Sequence, residues 1–174
     1  MPLSAEDIQD AFAALSEELA QETTQSELVV VGGAALVLLF RARDTTKDVD
    51  AYFVKPEAAV VREAAERVAT RLDLPTDWLN DAAKGYLTGL TKGAVLFESP
   101  SLVIRAASTP QLLAMKLAAW RDAVDRADAA LLLSQMSGSA EEVWRTVRQF
   151  VPVHQVDKAS YAFEDLWEAS HGPS

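Results

Sequence analysis

The hydrophobic positions change their period along the chain, and the changes mark out its elements. Between Ser4 and Glu22 apolar residues fall at Ile8, Phe12, Leu15 and Leu19, the spacing of one face of a helix. Ser4 heads that segment as a cap, with Asp7 at the N3 position. Leu28 to Val31 is a short branched run that stops at Gly32-Gly33, which predicts a buried strand entering a tight turn. Ala34 to Phe40 reads as a helix. Val49 and Tyr52-Phe53-Val54 mark a second strand with an aspartate on either side of its first valine. Pro56 suits a first helical turn, and Glu57 to Leu72 is built from good helix formers.

After Pro75, Asp77 to Lys84 reads as a short helical piece. Ala94 to Phe97 and Leu102 to Ala106 predict two strands joined at Ser99-Pro100-Ser101. Thr109-Pro110 opens a helix through Trp120, and another covers Asp125 to Met136. Ser139 and Glu142 form a capping box for a helix that stops before Pro152, and a last helix runs from Asp157 to Ala169. Trp120, Trp144 and Trp167 lie in helical patterns and are expected in the core, whereas Trp78 lies by a loop that could border a ligand. The order predicts an α+β protein: a small mixed β-sheet core flanked by helices over residues 1–108, and a C-terminal helical bundle packed on it over 109–174.

Composition narrows the chemistry. With 174 residues, 49% of them apolar, the chain can bury a sizeable core. The lack of cysteine excludes disulfides, thiol catalysis and a cysteine zinc site, and His154 and His171 lie far from the other polar clusters. The longest apolar run, Leu28 to Phe40, is too short to span a bilayer, and the start has no leader pattern, so a cytoplasmic protein with no membrane partner is expected. The net charge of −10 opposes a broad nucleic-acid surface. Charge is uneven, however: residues 1–27 hold seven acids and no base, while Lys84, Lys92, Arg105, Lys116 and Arg121 face the single acid Glu98 across residues 82–121.

Two constellations carry candidate chemistry. Glycines between a strand and a helix let the backbone approach a ligand closely, and the helix start offers N–H groups to an anion. Asp48 and Asp50 flank Val49 at a strand start, where residues two apart share a side. Two carboxylates side by side repel unless a cation joins them, and Mg²⁺ takes one or two carboxylates plus phosphate oxygens. Purely structural readings, a tight turn and a strand end bearing two acids, stand beside these.

Together, Gly32-Gly33-Ala34-Ala35-Leu36 and Arg43-Asp44-Thr45-Thr46-Lys47-Asp48-Val49-Asp50 resemble the opening signature of polymerase-β-like nucleotidyltransferases. Ala34 departs from the common Gly-Ser form, so triphosphate contacts must come from backbone N–H groups or nearby hydroxyls. Arg41, Arg43, Thr45, Thr46 and Lys47 are candidates for phosphate or substrate contacts. Downstream, Leu112-Leu113-Ala114-Met115-Lys116 with Ala119, Arg121, Asp125 and Asp128 is similar to motifs of AbiEii-type nucleotidyltransferases and the related MenT toxins.

That resemblance implies Mg²⁺ (or Mn²⁺) on Asp48 and Asp50, NTP as substrate, a phosphate turn at Gly32 and Gly33, and a phosphate contact from Lys116. Asp125 or Asp128 would belong to the site. The acceptor would be a tRNA or another RNA, or a protein, and the setting a toxin paired with a cognate antitoxin. The family also has a third carboxylate on a neighbouring strand. Leu102 to Ala106 supplies none and offers Arg105, which leaves Glu98, Asp125 and Asp128. The alternative is a weak or inactive module that keeps the fold and binds nucleotide or a partner protein.

Overall fold

A computed structural model describes residues 1–173, which divide into two compact units. The first comprises residues 1–85 and 92–107. Its elements in chain order are β1 (Leu3–Ser4), α1 (Ala5–Glu18), β2 (Ser26–Val31), α2 (Gly32–Phe40), β3 (Thr45–Thr46), β4 (Val49–Lys55), α3 (Ala58–Leu72), β5 (Leu79–Asn80), β6 (Val95–Glu98) and β7 (Leu102–Ala106). The fold is α+β, as the apolar pattern predicts.

Five strands form one mixed sheet in the order β5-β4-β2-β7-β6, and β1 pairs with β3 in a separate two-stranded ribbon. All six residues of β2 are buried, consistent with a central strand covered on both faces. It pairs antiparallel with β4, placing Val31 opposite Asp50, and parallel with β7. In β4 the burial alternates, so Val49, Ala51 and Phe53 face the core while Asp50 and Tyr52 lie half-buried on the other side. Outside the sheet, α3 is tied to α1 by Arg67–Glu18 at 2.5 Å and Arg71–Glu17 at 2.6 Å.

Three expectations are corrected here. Asp77 to Lys84 is not a single helical piece: it contains β5, then a short 3-10 turn at Ala82–Tyr86. Trp78 explains the difference. Its ring is fully buried, its indole Nε1 donates to the Ala65 carbonyl at 3.0 Å, and its own carbonyl accepts from Val49 N at 2.7 Å. Those bonds pin the next two residues beside β4. Trp78 is therefore a core residue, whereas Trp120, Trp144 and Trp167 are only half-buried. The first helix also ends earlier than predicted, at Glu18, with both halves of the Ser4–Asp7 capping box formed.

The second unit comprises residues 86–91 and those from Ser108 onward. It holds α4 (Thr109–Ala119), α5 (Ala123–Ser134), α6 (Ala140–Arg148) and α7 (Val156–His171). Ser108 caps α4 in place of Thr109, with Pro110 in the first turn. Trp120 takes a left-handed φ of 38° and Asp122 caps α5, so the chain breaks between α4 and α5 instead of continuing as one helix. The Ser139–Glu142 box caps α6. Trp144, Phe163, Trp167 and His171 stack in series along α6 and α7. Among the described residues no helix is long and apolar enough to cross a membrane.

Candidate nucleotide site

The first unit brings the Gly-Gly turn and the aspartates together. β2 runs directly into α2 at Gly32, whose φ of +67° is a conformation that L side chains rarely adopt. A Cβ placed on Gly32 would lie 3.4 Å from Asp50 Oδ2. One placed on Gly33 would lie 3.2 Å from Thr46 Oγ1 and 3.3 Å from Arg43 Nη2. The two glycines thus let a carboxylate, a hydroxyl and a guanidinium close over one turn. Thr46 also donates from Oγ1 to the Asp48 carbonyl at 3.3 Å, holding the loop that leads into β4.

Asp48 lies one residue before β4, not within it. Partial burial pushes its carboxyl above the ordinary carboxylate range; the Lys47 ammonium opposes that shift and the Asp77 carboxylate adds to it. Lys47 is exposed. Gly32, Gly33, Arg43, Thr46, Lys47, Asp48 and Asp50 therefore all belong to one end of the first unit's sheet.

The neighbours of β4 differ from the sequence expectation. Leu102 to Ala106, as β7, adjoins β2, and the second neighbour of β4 is β5. There Asn80, an amide, is the register partner of Asp50. Glu98 is removed as the third carboxylate. It pairs through Val103 and Glu27 to the level of Lys55, three strands away and at the opposite end of β4. At ordinary strand rise and spacing that is roughly 20 Å from Asp50. The acid that does stand near Asp48 is Asp77, missed because Asp77 to Lys84 reads as helical. The apolar pair Trp78-Leu79 between polar neighbours was the available signal. Asp81, on the same segment, is held by Arg62 at 2.6 Å and Lys84 at 3.1 Å.

Lys116, Asp125 and Asp128 come together in the second unit. Lys116 Nζ, on α4, lies 3.1 Å from Asp125 Oδ1 and 2.8 Å from Asp128 Oδ2, both on α5. The two carboxylates are buried, so this is an internal ion network and not a surface ladder. Asp125 Oδ2 also accepts from Arg121 N at 3.0 Å and Arg121 Nε at 3.1 Å. Burial would raise the Asp125 carboxyl, yet the hydrogen bonds from Arg121 and Lys116 and the Lys116 charge bring it below the usual value.

A family model described as "Nucleotidyltransferase of unknown function (DUF6036)" matches residues 7–130. The chain belongs to that family. The matched stretch contains the Gly-Gly turn, both aspartates, Lys116, Asp125 and Asp128, and ends before α6 and α7. No curated protein and no solved structure matches the chain.

A nucleotidyltransferase acts on a triphosphate, and polymerase-β-like members hold it with cations. Asp48 and Asp50 offer two carboxylates. Among the described residues no group of three or more His, Asp or Glu side chains is arranged to hold a cation unaided. That donor set fits Mg²⁺ shared with substrate phosphates, since this ion keeps waters and phosphate oxygens in its shell, and does not fit an all-protein cage.

Proposed function

We propose that this nucleotidyltransferase-family chain transfers a nucleoside monophosphate from an NTP to an acceptor hydroxyl. The observation that carries the reading is the Asp50 carboxylate beside Gly32, at a strand-to-helix turn whose φ of +67° suits glycine. Backbone N–H groups at the start of α2 would receive the phosphates, with Arg43, Thr46 and Lys47 beside them. Asp48 and Asp50 would hold Mg²⁺ (or Mn²⁺), which when bound neutralises charge on the transferring phosphoryl group and the leaving pyrophosphate. In the second unit, Lys116 would act as a fixed cation for phosphate, with Asp125 and Asp128 orienting its ammonium.

The similarity of Leu112 to Asp128 to AbiEii and MenT sequences supports a finer proposal: an RNA or protein acceptor, in a cytoplasmic toxin with a cognate antitoxin. The test is incubation with Mg²⁺, α-labelled NTPs and total RNA or protein. Label transfer that Asp48→Ala abolishes is expected; transfer that survives the substitution would refute the assignment. A second reading, a module that binds nucleotide without transferring it, is favoured by the lack of a three-acid cluster among the described residues. It is distinguished by NTP binding without transfer to any acceptor.

A further inference from the structure

A surface cavity of about 390 Å³ opens in the first unit, lined by Met1, Pro2, Thr45, Thr46, Lys47, Pro75 and Asp77. Its position relative to the aspartates follows from the sheet. At this end the strands run β2, β4, β5, so the order of groups across it is Gly32, then Asp50 and Asp48, then the Asp77 segment. Thr46 belongs both to the Gly33 turn and to the cavity wall. Neither aspartate lines the cavity, which lies on the Asp77 side of Asp48 and Asp50 and meets the Gly33 turn through Thr46.

In-line phosphoryl transfer requires the entering and leaving oxygens on opposite sides of phosphorus. If the triphosphate tail lies at the Gly-Gly turn, as the proposed function has it, the entering oxygen approaches from the Asp77 side. We infer that the Thr45–Lys47/Pro75–Asp77 cavity is the acceptor subsite and that it takes a compact alcohol, either a hydroxyl side chain of a protein or a free small alcohol. The inference rests on the nucleotidyltransfer reading.

Its volume lies within the range of small-molecule sites. The lining suits a short chain bearing a hydroxyl: Pro2 and Pro75 give apolar walls, while the threonine hydroxyls, Lys47 and Asp77 give donors and acceptors. A polyanionic acceptor fits less well. The first unit carries seventeen acids against ten bases. Of those bases, Arg62, Arg67, Arg71, Lys84 and Lys92 already hold carboxylates. An RNA-binding surface needs clustered bases to neutralise phosphates, and half of this unit's bases are engaged with its own carboxylates.

In the reaction, the acceptor oxygen forms a new P–O bond to the α-phosphorus. The bond from that phosphorus to the α–β bridging oxygen breaks, pyrophosphate leaves with the electron pair, and the acceptor proton passes to solvent.

The experiment uses the full chain with Mg²⁺ and α-labelled NTPs. The acceptors offered are N-acetyl serine, threonine and tyrosine amides, a whole-protein extract, glycerol, glucose and total tRNA. Pro75→Trp narrows the cavity without touching the phosphate turn, and Val153→Trp, at an exposed position of the second unit, controls for the added indole. Label on the alcohols or on protein, with Pro75→Trp raising the acceptor KM at least tenfold and Val153→Trp near wild type, is expected. The rise in melting temperature caused by Mg²⁺ and NTP should be the same in all three proteins, which keeps NTP binding separate from acceptor binding. Label on tRNA alone, or an acceptor KM unmoved by Pro75→Trp, overturns the subsite while leaving the transferase reading intact. No thermal response of the wild type to Mg²⁺ and NTP overturns both.

Discussion

Gly32 is the residue on which the site's geometry turns. Its φ of +67° is strained for any L side chain, and the Asp50 oxygen would meet a Cβ there at 3.4 Å. Gly32→Ala is expected to destabilise the chain by about 1–2 kcal/mol, the usual cost of a left-handed conformation for an L residue. It should also weaken Mg²⁺-dependent NTP binding at least tenfold; denaturant melts with and without nucleotide measure both. Asp125 behaves differently, because its partners are internal. Removing it as Asp125→Ala strips the largely buried Lys116 ammonium of one of its two carboxylates, and about 3 kcal/mol of stability should be lost. Its carboxyl is held below its unfolded value, so the stability it contributes is complete above about pH 4. That contribution is lost as the pH falls through the folded value. Melting temperatures followed from pH 7 down to 2 should therefore fall less steeply in Asp125→Asn than in the wild type.

Among the elements, β5 shows how two residues can complete a sheet edge. Trp78 anchors it by burying its ring, by donating to Ala65 on α3 and by accepting from Val49. Trp78→Ala should cost about 3–5 kcal/mol and release β5, read as faster amide exchange at Val49 than elsewhere in β4. The long elements were legible in the sequence because each carries its own period. The branched run of β2 ends at paired glycines, and the capping boxes of α1 and α6 announce where those helices begin. The two-residue strands were not legible, since β1, β3 and β5 are too short for a period and exist through tertiary pairing. The same limit hid Asp77. With β5 read as helix, Leu102–Ala106 is the strand expected beside β4, and Asp77 does not stand out beside Glu98, Asp125 and Asp128. The Gly-Gly turn and the paired aspartates stand out in the sequence, but the burial of Asp125 and Asp128 does not, because charged residues at helical intervals read equally well as a solvated face.

For the whole molecule, the distribution of charge matters more than its sum. The five bases that stand out between residues 82 and 121 are engaged internally: Lys84 with Asp81, Lys92 with Glu27, Lys116 and Arg121 with Asp125, and Arg105 with the Gly93 carbonyl. They do not add up to a basic face, and acceptor binding should accordingly depend weakly on salt. The family match spans the turn, the aspartates and the Lys116 network, so nucleotide handling is the shared property to probe first. The most direct measurement is calorimetric titration of NTP in the presence and absence of Mg²⁺, on the wild type and on the Asp48→Ala, Asp50→Ala double variant. Saturable binding that requires Mg²⁺ and disappears in the folded double variant is the expected result. Equal affinity in both proteins, or binding indifferent to Mg²⁺, would contradict a phosphate and metal site at Gly32-Gly33 and Asp48-Val49-Asp50.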